Sequence, residues 1–176
     1  MSRFIMSEIN KLREVASQLV SSAIQRKKTI VTVESCTGGL VASSITDIPG
    51  SSHCFSHGLV TYSDTAKNKL LGIDSILIKD NGAVSKVIAK SMAKNALDDN
   101  SVDFSVAITG IAGPSGGSLD KPIGTVWIAW GYYIDNDIVV DAQDYCFTGD
   151  RNAIRMQSAI EALKELEKSI KKLHSI

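Results

Sequence analysis

Residues 29–40 (TIVTVESCTGGL) constrain the fold of this chain more than any other stretch. They open as a short β-branched run, with Ile30, Val31 and Val33, that favours a strand. The run breaks into a small, polar turn, Glu34-Ser35-Cys36-Thr37-Gly38-Gly39, and a helix-like segment, LVASSITDI, follows. A strand that turns on small residues into a helix start leaves backbone N–H groups unpaired and facing outward, a setting suited to an oxyanion or a phosphate. Ser35 stands in that turn as a candidate nucleophile. Cys36 is its rival: neighbouring side chains point in different directions, so one of the two faces a site, and spacing does not decide which.

The rest of the chain alternates strand-like and helix-like patterns. Ile9, Leu12, Val15, Ala16, Leu19, Val20 and Ala23 recur at three- and four-residue spacing, which predicts an amphipathic helix over 7–26 with Ser7 as its N-cap. A strand over 29–33 and a helix over 37–48, ended by Pro49-Gly50, come next. A strand over 54–62 has Gly58 inside it as a bulge or a point of close approach. Cap-type residues Ser63 and Asp64 precede a short helix over 65–72, and 73–79 reads as weakly extended. After the Asn81-Gly82 turn, Ser85 caps a helix to residue 97 with Val87, Ile88, Met92 and Leu97 facing inward. A strand over 102–108 runs into the glycine-rich segment 109–122 (TGIAGPSGGSLDKP). Strands over 124–134 and 137–147 form a hairpin at Asp135-Asn136. A helix over 150–173 closes the chain, with Ile154, Ala159, Ile160, Leu163, Leu166 and Ile170 as its inner stripe. The alternation predicts an α/β fold, and the terminal hairpin predicts a mixed sheet. No repeat or linker divides the 176 residues, so the reading is a single domain.

Charge and cysteine usage exclude several functions. Lys plus Arg and Asp plus Glu both number 19, so nothing argues for a duplex-binding face and no nucleic-acid partner is expected. The three cysteines are odd in number and form no CxxC, which predicts free thiols in a reducing cytoplasm. The opening MSRFIMSEINKLREVA is too polar for a signal or membrane helix, and no membrane partner is expected. There is no HExxH and no Cys/His cluster at ligand spacing, so no metal is expected. The order of TGIAGPSGG fits neither a Walker nor a Rossmann fingerprint, and no cofactor is expected.

Three polar segments each follow a strand: the Ser35 turn, the stretch from Tyr62 to Lys67, and the loop after Ile108. In parallel α/β sheets ligands gather at the carboxyl ends of strands, so parallel pairing would bring the three together. Ser35 needs a base, because a free hydroxyl is a poor nucleophile. His53, His57 and His174 fit weakly, His57 being mid-strand and His174 in a frayed terminus. Lys67 lies about one turn into the helix after Tyr62; it serves as a base only if burial or nearby positive charge lowers its pKa, and is otherwise a solvated helix residue. Thr109 offers a hydroxyl at a strand end, and Lys121 can reach a phosphate. Arg151 and Arg155, four apart behind the possible cap Asp150, form either a phosphate fork or a surface pair. Trp127 and Trp130 read as core.

ESCTGG (34–39), PGSS (49–52), VTYS followed by Lys67, GAVS (82–85), TGIAGP (109–114) and KPIGTVWIA (121–129) together resemble the C-terminal domain of CinA-type, competence-damage-inducible proteins, a family that includes stand-alone nicotinamide-nucleotide amidases. The family core would occupy about residues 29–173. The resemblance implies a three-layer α/β/α sandwich with a mixed sheet, often dimeric. It implies hydrolysis of nicotinamide mononucleotide to nicotinate mononucleotide and ammonia without a cofactor. It places the nucleophile on Ser35, with Tyr62 and Lys67 as activating groups, and puts Thr109, Gly110 and Arg151 at substrate-binding positions. Glu34, Cys36, Thr37, Gly38 and Gly39 are expected around the substrate, with N–H groups of the Cys36–Gly39 turn facing the oxyanion and Lys121 second to Arg151 for the phosphate. The alternative is a non-catalytic nucleotide-binding module of the same family.

Overall fold

The computed structural model describes residues 3–97 and 101–173; His174 lies outside them. Its strands are β1 (Ile30–Glu34), β2 (Phe55–Val60), β3 (Phe104–Gly110), β4 (Thr125–Ile134) and β5 (Asp137–Cys146). Its α-helices are α1 (Arg3–Gln25), α2 (Leu40–Thr46), α3 (Asp64–Leu71), α4 (Ser75–Asn81), α5 (Lys86–Asn95) and α6 (Arg151–Leu173). The strands form one sheet in the order β2-β1-β3-β4-β5. β1 pairs in parallel with β2 and with β3, while β3, β4 and β5 pair antiparallel, so the sheet is mixed as predicted. The β4–β5 hairpin turns on Asp135 and Asn136, both at positive φ, which suits the twist of the two strands.

Successive side chains of the central strands point to opposite faces and build two cores. Ile30, Val106, Ile108, Ile128 and Trp130 pack under α1, α2 and α6. Val31, Val33, Ala107 and Ala129 pack with Ile88, Met92, Leu71 and Ile78 of α3, α4 and α5. The result is a three-layer α/β/α sandwich. Burial of β1 and β3 on both faces accounts for their nearly continuous apolar runs. The inner stripe of α6 is buried throughout, and Trp130 Nε1 donates to Ala162 O at 2.9 Å, tying β4 to α6. Trp127 packs against the opposite core. Among the described residues no helix is long and apolar enough to cross a membrane.

The structure departs from the sequence expectations at three places. Helix α1 extends past Ser7, which is therefore not a cap, because Arg3–Met6 contains no helix breaker. Residues 75–81 are helical, not extended: Asp74 accepts a hydrogen bond from Ile76 N at 2.8 Å and caps α4, overriding the strand preference of Ile76-Leu77-Ile78. Val87 faces solvent, while Ile88, Met92 and Leu97 are buried. Gly58 is a point of close approach: a Cβ there would lie 2.8 Å from Thr32 Oγ1 and 3.0 Å from Ala42 Cβ.

The register of the parallel strands positions the site. Glu34 lies opposite Val60 on one side and Ile108 on the other. The ladder runs one residue further, with Ser35 N donating to Ile108 O at 2.9 Å and Thr61 N to Glu34 O at 2.8 Å. Ser35, Thr61 and Thr109 therefore emerge level at one edge of the sheet.

Candidate active site

The Ser35 turn is built by Glu34. This carboxylate is 1% exposed and accepts from Gly39 N (2.9 Å), Val41 N (3.1 Å) and Ala42 N (2.8 Å), taking up N–H groups at the start of α2. Glu34 thus faces the helix start instead of the cleft. Gly38 N donates to Ser35 O at 3.0 Å and closes the turn. Gly38 and Gly39 take φ of +59° and +91°, which only glycine adopts without strain. Both glycine N–H groups are therefore spent. The N–H groups of Cys36 and Thr37 find no oxygen acceptor among the described residues and face only the Cys36 sulfur, a weak acceptor; they are the turn's available donors.

Lys67 reaches this turn from α3. Ser63 caps that helix, accepting from Ala66 N at 3.1 Å, and this sets Lys67 on the inward face. Lys67 is 1% exposed. Its Nζ donates to Thr61 O at 2.9 Å and to Ser35 Oγ at 3.3 Å. Burial pushes the Lys67 ammonium below its ordinary pKa, against smaller opposing influences from Asp64 and Cys36. Once neutral, the amine can accept the Ser35 proton along the same contact. Burial also pushes the Cys36 thiol up to about 11, so it stays protonated at neutral pH and is a poor nucleophile. The contrast between the two neighbours favours Ser35.

Ser35, Cys36, Lys67, Thr109, Gly110 and Arg151 all line one cleft of about 270 Å³. Thr109 is buried, and its hydroxyl donates to Ala83 O at 2.8 Å, tying the end of β3 to the turn before α5. Gly110 lies so close to β4 that a Cβ would sit 2.7 Å from Val126 Cγ2. The loop from Ile111 to Gly124 is pinned at its base by Ile111 N to Thr125 O and Gly124 N to Ile111 O, both 2.8 Å. Lys121 pins it again from the side: its Nζ donates to Val84 O at 2.8 Å, and the residue does not line the cleft. Arg151, in the first turn of α6, donates to Gly113 O (2.7 Å) and to the Tyr62 hydroxyl (2.8 Å). Tyr62 is 60% exposed at the cleft mouth, and its hydroxyl contacts neither Ser35 nor Lys67. Arg155 leaves the cleft to Arg151 and donates to Thr37 O at 2.7 Å. His53 and His57 are exposed and away from the cleft.

Sequence reasoning missed Asp64, the acidic side chain lining the cleft. Beside Ser63 it read only as a cap-type residue, and no local pattern distinguishes that from a site role. Among the described residues no three His, Cys, Asp or Glu side chains gather as metal ligands. The arrangement therefore offers a hydroxyl, a buried amine within reach of it, two N–H groups of the same turn without an oxygen acceptor, and a guanidinium at the rim. These are the parts of an acyl-transfer site.

Known proteins resemble the chain in sequence and in fold. The chain is 44% identical over 160 residues to the nicotinamide-nucleotide amidohydrolase PncC of Escherichia coli K12, covering 91% of this chain and 93% of that protein. It is 43% identical over 171 residues to a CinA-like protein of Chlorobaculum tepidum, covering 97% of this chain but only 40% of that longer relative. The crystal structure of the competence/damage inducible protein CihA from Agrobacterium tumefaciens superposes with a TM-score of 0.84 at 35% identity, over 92% of this chain and 96% of that one. The CinA C-terminal domain model matches residues 12–170, and the chain belongs to that family.

Proposed function

We propose that the protein is an amidohydrolase that converts nicotinamide mononucleotide to nicotinate mononucleotide and ammonia through an acyl-enzyme on Ser35. One observation carries the reading: a buried lysine, held below its ordinary pKa, has its Nζ 3.3 Å from a serine Oγ in the cleft. The 44% identity to a nicotinamide-nucleotide amidohydrolase, over 91% of this chain and 93% of that protein, supports the choice of substrate.

Neutral Lys67 takes the proton of Ser35 as Oγ attacks the carboxamide carbon. The oxyanion is received by the N–H groups of Cys36 and Thr37. The C–N bond then breaks and Lys67 returns its proton to the departing nitrogen, releasing ammonia. Water attacks the ester with Lys67 again as base, and the acid product leaves Ser35 with its proton restored. Direct transfer is the shorter route, since the Tyr62 hydroxyl is engaged by Arg151; Tyr62 and Arg151 act as a pair at the cleft mouth. A guanidinium has five N–H donors, and two contacts of Arg151 are taken up within the chain, so it retains donors for the substrate phosphate. Lys121 is the weaker choice because its amine is already bound.

The test is to incubate the pure protein with nicotinamide mononucleotide and follow ammonia and nicotinate mononucleotide. Equimolar formation of both is expected. Binding of the nucleotide without turnover would instead identify a non-catalytic nucleotide-binding module. The same reading takes the protein as a cytoplasmic homodimer; light scattering on the purified protein checks the assembly, and a monomer would remove that part.

A further inference from the structure

Arg155 is the one arginine of the α6 pair that the proposed chemistry leaves unused. It does not line the cleft. Its Nη2 donates to Thr37 O at 2.7 Å, and its Nε is buried without a partner. A buried guanidinium N–H left unsatisfied is unfavourable, so the placement is not explained by good solvation of the arginine itself. What the side chain holds is the peptide that follows the two N–H donors of the turn that lack an oxygen acceptor. The Thr37 carbonyl belongs to the Thr37–Gly38 peptide, and the N–H of that same peptide closes the turn onto Ser35 O. Gly38 and Gly39, at positive φ, give the chain freedom to reorient here. The Thr37 carbonyl accepts a long bond from Leu40 N at 3.3 Å and a short one from Arg155 at 2.7 Å, so Arg155 is the side chain that grips the carbonyl and restricts that freedom. The same Nη2 lies 3.8 Å from where a Cβ on Gly38 would stand, so the guanidinium sits directly against the turn.

We propose that Arg155 is a positioning residue for the oxyanion donors. By holding the Thr37 carbonyl it fixes the Cys36 and Thr37 N–H groups in the orientation that receives the developing negative charge at Ser35, and it touches no part of the substrate. This rests on the acyl-transfer reading of the site. Its charge also reaches the turn, since Arg155 opposes the burial that raises the Cys36 thiol. A donor set that is prealigned acts on the transition state and not on the ground state, so its loss lowers kcat and leaves KM in place.

Arg155→Met and Arg155→Lys, assayed against nicotinamide mononucleotide beside the wild type, should lower kcat about 10- to 100-fold with KM held within about twofold, a fraction of what one lost oxyanion donor costs. Methylguanidine added to Arg155→Ala should recover part of the lost rate without changing its thermal midpoint. The wild-type assay alone decides the substrate reading. A small fluorophosphonate that labels Ser35 reads the role of Arg155 without any nucleotide, and labelling should slow in parallel with kcat. A rise in KM at unchanged kcat would overturn the proposal by making Arg155 a substrate contact. So would unchanged labelling, or a loss of activity that follows a loss of folding and resists methylguanidine. Wild-type Ser35 that refuses the probe would overturn the proposal and the acyl-transfer reading together.

Discussion

The proposed chemistry rests on how one lysine is buried. Lys67 lies on the inward face of a short, capped helix, with Thr61 O and Ser35 Oγ as its partners. Burial lowers its pKa below the ordinary 10.5. Between the lowered value and 10.5 the unfolded chain binds more protons than the folded one, so this residue makes stability rise with pH through that window. Lys67→Met removes that dependence. Its stability relative to the wild type should be greatest at neutral pH and decline as pH approaches the ordinary lysine value, as urea unfolding across a pH series would read. A difference that stays constant with pH would contradict a depressed Lys67. At the same scale, residue type and position made Ser35, Lys67 and Arg151 legible as candidates beside Cys36, a solvated lysine and a surface arginine pair, and the family resemblance selected among them. The destinations of Tyr62, Lys121 and Glu34 were not legible. Each is decided by a partner distant in sequence or by a backbone group: Arg151, Val84 O and the α2 N–H groups. The engagement of the Gly38 and Gly39 N–H groups by Ser35 O and Glu34 likewise required the folded turn.

The elements that carry the site depend on their starts. Helix α2 begins at a left-handed glycine with no side-chain cap of its own, and the buried carboxylate at the end of β1 takes that role. Glu34→Gln keeps the shape but presents an amide NH₂ where an oxygen accepts, leaving at least one buried N–H unpaired. It should cost about 1–3 kcal/mol in chemical unfolding and lower turnover by loosening the turn. Unchanged stability would show that the three N–H groups find other partners. Helix α4 illustrates the limit of pattern reading. Its Ile-Leu-Ile run has the composition of a strand, yet Asp74 before it and Gly82 after it are end signals of a helix. The caps prevailed because a seven-residue segment needs only one buried side chain, Ile78, to anchor it. By contrast the whole predicted stripe of α6 is buried, and that of α5 is buried except for Val87.

At the scale of the molecule, a level register of three parallel strands gathers segments that lie far apart in the chain. Glu34 opposite Val60 and Ile108 sets Ser35, Thr61 and Thr109 side by side. The antiparallel β4 and β5 extend the sheet away from the site, and α6 returns across the layer to bring Arg151 to Gly113 and Tyr62 at the cleft rim and Arg155 to Thr37 of the Ser35 turn. The alternation of elements made the α/β class and the mixed sheet legible in the sequence. Strand order was not, since nothing local states that β1 lies between β2 and β3. The central claim is that Ser35, not its neighbour Cys36, is the nucleophile of an amidohydrolase. Initial rates of ammonia release from nicotinamide mononucleotide for Ser35→Ala and Cys36→Ser, with both variants checked for wild-type thermal midpoints, test it most directly. Ser35→Ala should lose at least about 10³-fold and Cys36→Ser should stay within about tenfold of the wild type; a Ser35→Ala protein that still turns over, beside an inactive Cys36→Ser, would contradict the account.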